Sequence, residues 1–227
     1  MAVRRDSLYG RRIGKPLSPR RQALMTDAFP KFALNVAAPP PGDLAELFPG
    51  APNRVRLEIG FGGGEHLIAE AAQATEIGFI GVEPFVNGMA KAVTTIVDTG
   101  LGNVRLHAGD ATPLLDWLPA ASLDRVDLLY PDPWPKKRHW KRRFVSRENL
   151  ARLARVLRPG GVLRFASDIP DYVTWTLVRV AANDAYVWTA ERAADFDQPF
   201  PDWPGTRYEA KAIAAGRKPT YLSFRRR

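Results

Sequence analysis

The chain has 227 residues, 45% of them hydrophobic, and a formal net charge of +9. That length and apolar fraction exclude a disordered chain and predict one folded domain, and the excess of cations predicts attraction to phosphate backbones or anionic surfaces. Zero cysteines exclude disulfides, thiolate zinc sites and cysteine nucleophiles, and His66, His107 and His139 are too scattered to make a metal set. No apolar run reaches the ~18 residues that cross a bilayer, so the expectation is a cytoplasmic protein with no metal and no membrane contact, as a monomer or a homodimer.

Residues 1–50 carry Arg4, Arg5, Arg11, Arg12, Lys15, Arg20 and Arg21 against little acid, then Pro39-Pro40-Pro41-Gly42. This predicts a basic, flexible arm ahead of a domain over 51–227. A transit peptide is the alternative, but Asp6, Gly10, Gly14 and Pro16 spoil an amphipathic helix. From residue 55 short apolar runs alternate with helical periods, the pattern of a parallel sheet covered on both faces. The expected strands are 55–59, 79–82, 104–108, 126–130 and 162–166, with helices over 65–74, 86–98, 112–118, 147–157 and 170–182. Pro159-Gly160-Gly161 predicts a tight turn into the fifth strand, and 219–225 reads as a final strand.

The first strand runs into Glu58-Ile59-Gly60-Phe61-Gly62-Gly63-Gly64-Glu65, where backbone can approach a ligand closely. Glu65 stands at the helix N-terminus that a dinucleotide fingerprint reserves for pyrophosphate, and a carboxylate there repels phosphate. S-adenosylmethionine has no phosphate, and its sulfonium and ammonium suit acidic neighbours such as Glu58. Glu83 ends the second strand at the spacing for ribose hydroxyls, and Asp110 ends the third, where it could accept from the adenine amino group. Each has a structural alternative: Glu58 pairs with an arginine, Glu83 merely ends a strand, Asp110 caps the next helix.

The fourth strand enters Tyr130-Pro131-Asp132-Pro133-Trp134-Pro135-Lys136-Lys137-Arg138-His139-Trp140-Lys141-Arg142-Arg143. Each proline pushes the residue before it out of the helical region, so Tyr130, Asp132 and Trp134 are expected to be extended, with Asp132 held in one direction. No acid occurs between Asp132 and Glu148, so the cations from Lys136 to Arg143 call for a polyanion. A solvated charge run is the bland alternative.

Together with Gly81-Val82-Glu83-Pro84, Ser167-Asp168, Thr206-Arg207-Tyr208-Glu209-Ala210-Lys211 and the arm's Arg11-Arg12 and Leu17 to Leu24, these blocks resemble the bacterial tRNA (guanine-N7)-methyltransferases over most of the chain. The resemblance implies a doubly wound α/β fold of the class I S-adenosylmethionine-dependent type, with a mostly parallel seven-stranded sheet whose last strand is antiparallel. It implies methylation of guanine 46 in the tRNA variable loop. It also implies that Glu58, Gly60, Gly62, Glu83, Asp110 and Asp132 contact the cofactor, with Asp132 catalytic. Lys136, Asp168, Thr206, Arg207, Tyr208 and Glu209 are the implied guanine-binding set, and Arg138, His139, Trp140, Lys141, Arg142 and Arg143 the implied RNA strip. Departures from the family pattern are Tyr130 and Tyr208 for phenylalanine, Ser167 for threonine and Ala212 for glycine.

Guanine N7 carries a lone pair and no proton, so methylation there needs positioning and charge stabilisation, not a base. Asp132 or Asp168 could accept from guanine N1–H and N2–H2, while Thr206 or Lys136 could serve O6. The structural alternatives are that Asp168 caps the helix starting near Pro170 and that Glu209 lies on a solvated helix face. The rival functions are methylation of another structured RNA, or of a small molecule, which has no use for a basic strip.

Overall fold

The computed structural model describes residues 9–10 and 12–227; Arg4, Arg5 and Arg11 of the expected arm lie outside the described residues. Five parallel strands form the centre: β1 (Val55–Ile59), β2 (Gly78–Val82), β3 (Val104–His107), β4 (Leu123–Leu129) and β5 (Leu157–Ser167). Between them run α3 (Glu65–Gln73), α4 (Val86–Thr99), α5 (Ala111–Trp117) and α6 (Arg147–Val156), preceded in the chain by α1 (Pro19–Asp27) and α2 (Phe29–Phe32). The chain continues through α7 (Pro170–Ala181), β6 (Tyr186–Trp188), α8 (Ala194–Asp197), α9 (Arg207–Ala214) and β7 (Thr220–Arg226). Among the described residues the sheet order is β3-β2-β1-β4-β5-β7-β6, with β7 antiparallel to both neighbours, as the resemblance implied.

Side chains alternate across each strand. Val55, Leu57 and Ile59 of β1 join Val126 and Leu128 of β4 in a core with Leu114, Leu150, Leu153 and Tyr172, all buried. On the other face, Phe79, Val104 and Leu106 pack with Leu67, Ala71, Met89, Val93 and Ile96 from α3 and α4. The second face of β1 and β4 is charged, although buried. In register, Arg56 stands opposite Arg125 and Glu58 opposite Asp127, two like-charge pairs of the kind that destabilise a sheet. Glu70 of α3 relieves the first by pairing at 2.7 Å with both arginines, and Arg125 Nε donates to Asp127 at 2.8 Å.

Two expectations need correction. The turn at Pro159-Gly160-Gly161 is a bulge inside β5: Leu123 pairs with Leu157 and Arg125 already with Val162, and the excess chain passes through Gly160 at φ 78°. The boundary at residue 50 does not separate an arm from a domain over residues 19–48. Leu24, Met25, Phe29 and Phe32 pack on the α3–α4 core, Leu34 N donates to Leu106 O at 2.8 Å, and Leu44, Ala45 and Phe48 are buried. Burial of these apolar residues overrides the Arg-rich composition, and Arg20 is spent on a pair with Asp98.

Candidate active site

A cavity of about 1110 Å³ opens at the carboxyl ends of β1 to β4, where ligands bind in open α/β sheets. The loop after β1 needs its glycines: Gly60, Gly62 and Gly64 have φ of 74°, 59° and 80°. Gly88 in the first turn of α4 abuts this loop so closely that a Cβ there would sit 2.2 Å from Gly62 O. Glu83 lines the cavity at the end of β2. One carboxylate oxygen accepts from Gly62 N at 2.7 Å and the other from Phe85 N at 2.9 Å, leaving a lone pair on each for a ligand. Burial pushes this carboxyl above its usual range, against the lowering effect of those two bonds. Asp110 lines the cavity and also caps α5, accepting from Thr112 N at 2.9 Å. Glu65, at the start of α3, pairs with Lys91 at 2.5 Å; desolvation opposes its ionisation, but the lysine outweighs it and holds the carboxyl below the usual range.

Asp132 is exposed to the cavity just beyond β4, yet the protein around it excludes enough water to raise its carboxyl above the ordinary range. Its neighbours are not the extended residues expected. Tyr130 and Trp134 have φ of 50° and 44°: the clash with the following proline bars the right-handed region, and the chain escapes it through the left-handed one. Such a backbone costs about 1–3 kcal/mol per residue and persists only where neighbours impose it. Tyr130 N donates to Ala166 O at 2.8 Å, and Arg143 Nε donates to Pro133 O at 2.8 Å.

Arg143 is therefore a correction to the RNA strip. Its side chain is buried, pairs with Asp171, and lies within 5.1 Å of the Trp140, Tyr172 and Trp175 ring centres. Arg142 is half-buried between Trp134 (4.9 Å) and Tyr9 (4.8 Å), and Trp140 is half-buried against Trp175. His139 meets Trp134 edge-on at 5.8 Å. Lys136, Lys137, Arg138 and Lys141 are exposed and make no ion pair among the described residues. Arg143→Ala should accordingly lower the unfolding free energy by the roughly 1.5–3 kcal/mol of a lost charged hydrogen bond, read out as a lower melting temperature. Lys137→Ala and Arg138→Ala should leave melting unchanged and each reduce the log–log salt slope of tRNA binding by about 0.7 to 0.9. A strip of solvated charge alone would give an unaltered slope.

The guanine-binding set is split. Arg207 and Tyr208 line the cavity, with the exposed Tyr208 ring against Gly62. Lys136 lies outside the lining, exposed. Asp168 does not cap α7, whose N-cap is Ile169; it pairs with Arg217 at 2.5 Å. Thr206 and Glu209 form a capping box at the start of α9, and Glu209 is buried, not solvated: it accepts from Trp203 Nε1 at 2.7 Å and from the Tyr221 hydroxyl. Glu58 faces away from the cavity lining. Its carboxylate bonds His66 Nδ1 at 2.7 Å, a histidine where an arginine was the expected alternative. Burial alone would lower His66, but Glu58, Asp127 and Glu70 outweigh it and hold the ring above the usual histidine range.

Sequence reasoning missed the residues that close the cavity's other wall. Tyr9 and Gly10 line it, while Val86 N donates to Arg12 O (2.9 Å), Gly14 N to Asn87 Oδ1 (2.7 Å) and Asn87 Nδ2 to Lys15 O (2.7 Å). The one local signal was Gly14, where a Cβ would lie 2.6 Å from Asn87 Oδ1.

Helices on both faces of a mostly parallel sheet, a glycine-lined cavity and an acidic side chain just beyond each of β2, β3 and β4 define a Rossmann-like ligand-binding protein. A family model described as a putative methyltransferase matches residues 52–222. The chain is 57% identical over 221 residues to a Rhizobium meliloti (strain 1021) protein named tRNA (guanine-N(7)-)-methyltransferase, covering 97% of this chain and 95% of that one. A Brucella melitensis protein of the same name is 54% identical, with coverage of 97% and 95%. Among solved structures, the 16S rRNA methyltransferase KamB shares the fold at TM-score 0.55 and 16% identity, over 77% of this chain and 88% of its own. A putative methyltransferase from Streptococcus mutans in complex with SAH does so at TM-score 0.51 and 9% identity, over 81% and 93%. The chain belongs to the bacterial tRNA (guanine-N7)-methyltransferase family.

Proposed function

We propose that this protein methylates N7 of guanine 46 in the tRNA variable loop, with S-adenosylmethionine as methyl donor. The observation that carries the reading is identity above 50% along nearly the whole chain to proteins named for that chemistry. The residues fit the donor: positive-φ glycines let backbone approach it, Glu83 offers two free lone pairs, and ionised Glu65 disfavours a phosphate-bearing cofactor instead. S-adenosylmethionine, when bound, supplies the methyl group on a sulfonium centre.

Glu83 would accept from both ribose hydroxyls and Asp110 from the adenine amino group. Asp132 holds negative charge at the cavity and takes no proton from N7, which has none; it stabilises the positive charge that the purine acquires in the transition state. Asp132 can also accept from guanine N1–H and N2–H2, as can Asp168, which gives only one oxygen to Arg217. The Thr206 hydroxyl accepts from Glu209 N and keeps its own O–H, so O6 is served by Thr206 or Lys136. Lys137, Arg138 and Lys141 meet phosphates, and the variable loop opens locally so that G46 reaches the cavity. Incubation with total tRNA and radiolabelled donor, followed by mapping of the product, should give 7-methylguanosine at position 46. Label on any other base or position would refute it.

A further inference from the structure

Glu58 and His66 bracket the Gly60–Gly64 loop, one in β1 and the other in the first turn of α3, and their 2.7 Å hydrogen bond ties the two ends of the loop together. The buried His66 ring lies against Trp203, with centroids 4.7 Å apart and planes tilted by 44°. Trp203 Nε1 in turn donates at 2.7 Å to Glu209, whose carboxylate also accepts from Thr206 N at 3.3 Å and from the Tyr221 hydroxyl. Neither His66 nor Trp203 lines the cavity, but both ends of this chain of contacts do: Gly60 and Gly62 at one, Arg207 and Tyr208 at the other. The segment bearing Trp203 holds its shape through Asp202 at φ 57° and Gly205 at φ 79°, so the indole is presented by a constrained turn.

We infer that His66 and Trp203 are positioning residues that couple the donor-binding loop to the guanine-binding segment, so that ordering one half of the site orders the other. The inference rests on the proposed function for the identity of the two ligands. Its physical basis is that a tilted ring contact on the buried His66 and a part-buried hydrogen bond to the buried Glu209 each have one good arrangement, and displacing the indole disturbs both ends. Glu209 cannot shift independently, because the Thr206 cap, Trp203 and Tyr221 all converge on it.

The test is the linkage between ligands, measured by titrating S-adenosylhomocysteine into the full-length protein with and without saturating unmodified tRNA. In the wild type each ligand should tighten the other, by a factor within the roughly 5- to 150-fold range of such couplings. Trp203→Leu should bring that factor close to one. A merely structural tryptophan would weaken each ligand alone and leave the factor as in the wild type. Trp203→Phe keeps an aromatic side chain but removes the donor to Glu209 together with one ring of the indole; it decides the matter if the leucine variant does not fold, and its factor should fall at least about threefold. A wild-type factor of one, or an unchanged factor in the folded variants, overturns the coupling while leaving the proposed function intact. Wild-type protein that binds neither ligand overturns both.

Discussion

Asp132→Asn should slow methyl transfer in a single turnover on the order of 10²- to 10³-fold, the cost of deleting one preorganised partner of a developing charge. The substitution keeps the shape and removes the charge; because the amide also replaces one oxygen that accepts from the guanine, tRNA affinity should fall by roughly the 0.5–1.5 kcal/mol of one hydrogen bond, well short of the loss in the chemical step. Rapid-quench measurement with tRNA and donor both saturating separates the two. The same experiment run against pH tests the role. The ionised carboxylate is the active form, so the wild-type rate should fall as acid protonates Asp132. It should do so at a pH above the ordinary aspartate range, because the surrounding protein disfavours the charged form. Above that point the rate should be flat to about pH 9, since N7 has no proton to surrender. A rate that climbs tenfold per pH unit through neutrality, or an asparagine variant whose tRNA affinity falls as far as its rate, would remove Asp132 from this role.

Glu83→Ala should weaken S-adenosylhomocysteine binding by roughly 1.5 to 3 kcal/mol, the range for hydrogen bonds to a charged group, which is about 10- to 150-fold in affinity. The deletion also strips Gly62 N and Phe85 N of their acceptor and so loosens the loop that receives the ligand. A pH dependence accompanies it. Burial raises the Glu83 pKa, and the ligand hydroxyls favour the ionised form, so wild-type affinity should be complete above that raised value and decline as pH falls through it. The alanine variant should lack that acid limb. Calorimetric titration across pH checks both, and an unchanged affinity in a folded Glu83→Ala protein would show that the ribose is held elsewhere.

The strands and helices between residues 55 and 181 were legible because period-2 and period-3.6 patterns are local properties of the chain. The positions of Glu83, Asp110 and Asp132 followed from them, since each stands just beyond a strand. What escaped was long-range. Arg142 and Arg143 look alike in a basic run, and only the placement of Trp140, Tyr172 and Trp175 takes one of them indoors. Glu58 was read as facing a ligand, because nothing near it in sequence reveals that Asp127 will stand opposite and that His66 will be needed beside it. Leu24, Phe29 and Phe32 were hidden among arginines and prolines. β6 spans three residues and is held through β7, too short a stretch for any periodicity.

The placement of β7 between β5 and β6 has a consequence for how the molecule is made. Among the described residues, β6 pairs with the sheet only through a strand that is synthesised after it. Until Thr220–Arg226 emerges, β5 presents an unpaired row of backbone donors and acceptors from Val162 to Ser167. At roughly 5 to 20 residues per second, the stretch of about 50 residues between Ser167 and Thr220 leaves that edge open for about 3 to 10 s on the ribosome. Vectorial synthesis thus completes the centre of the sheet first and its outer third all at once, and nascent chains stalled short of β7 are the species most exposed to strand-to-strand aggregation.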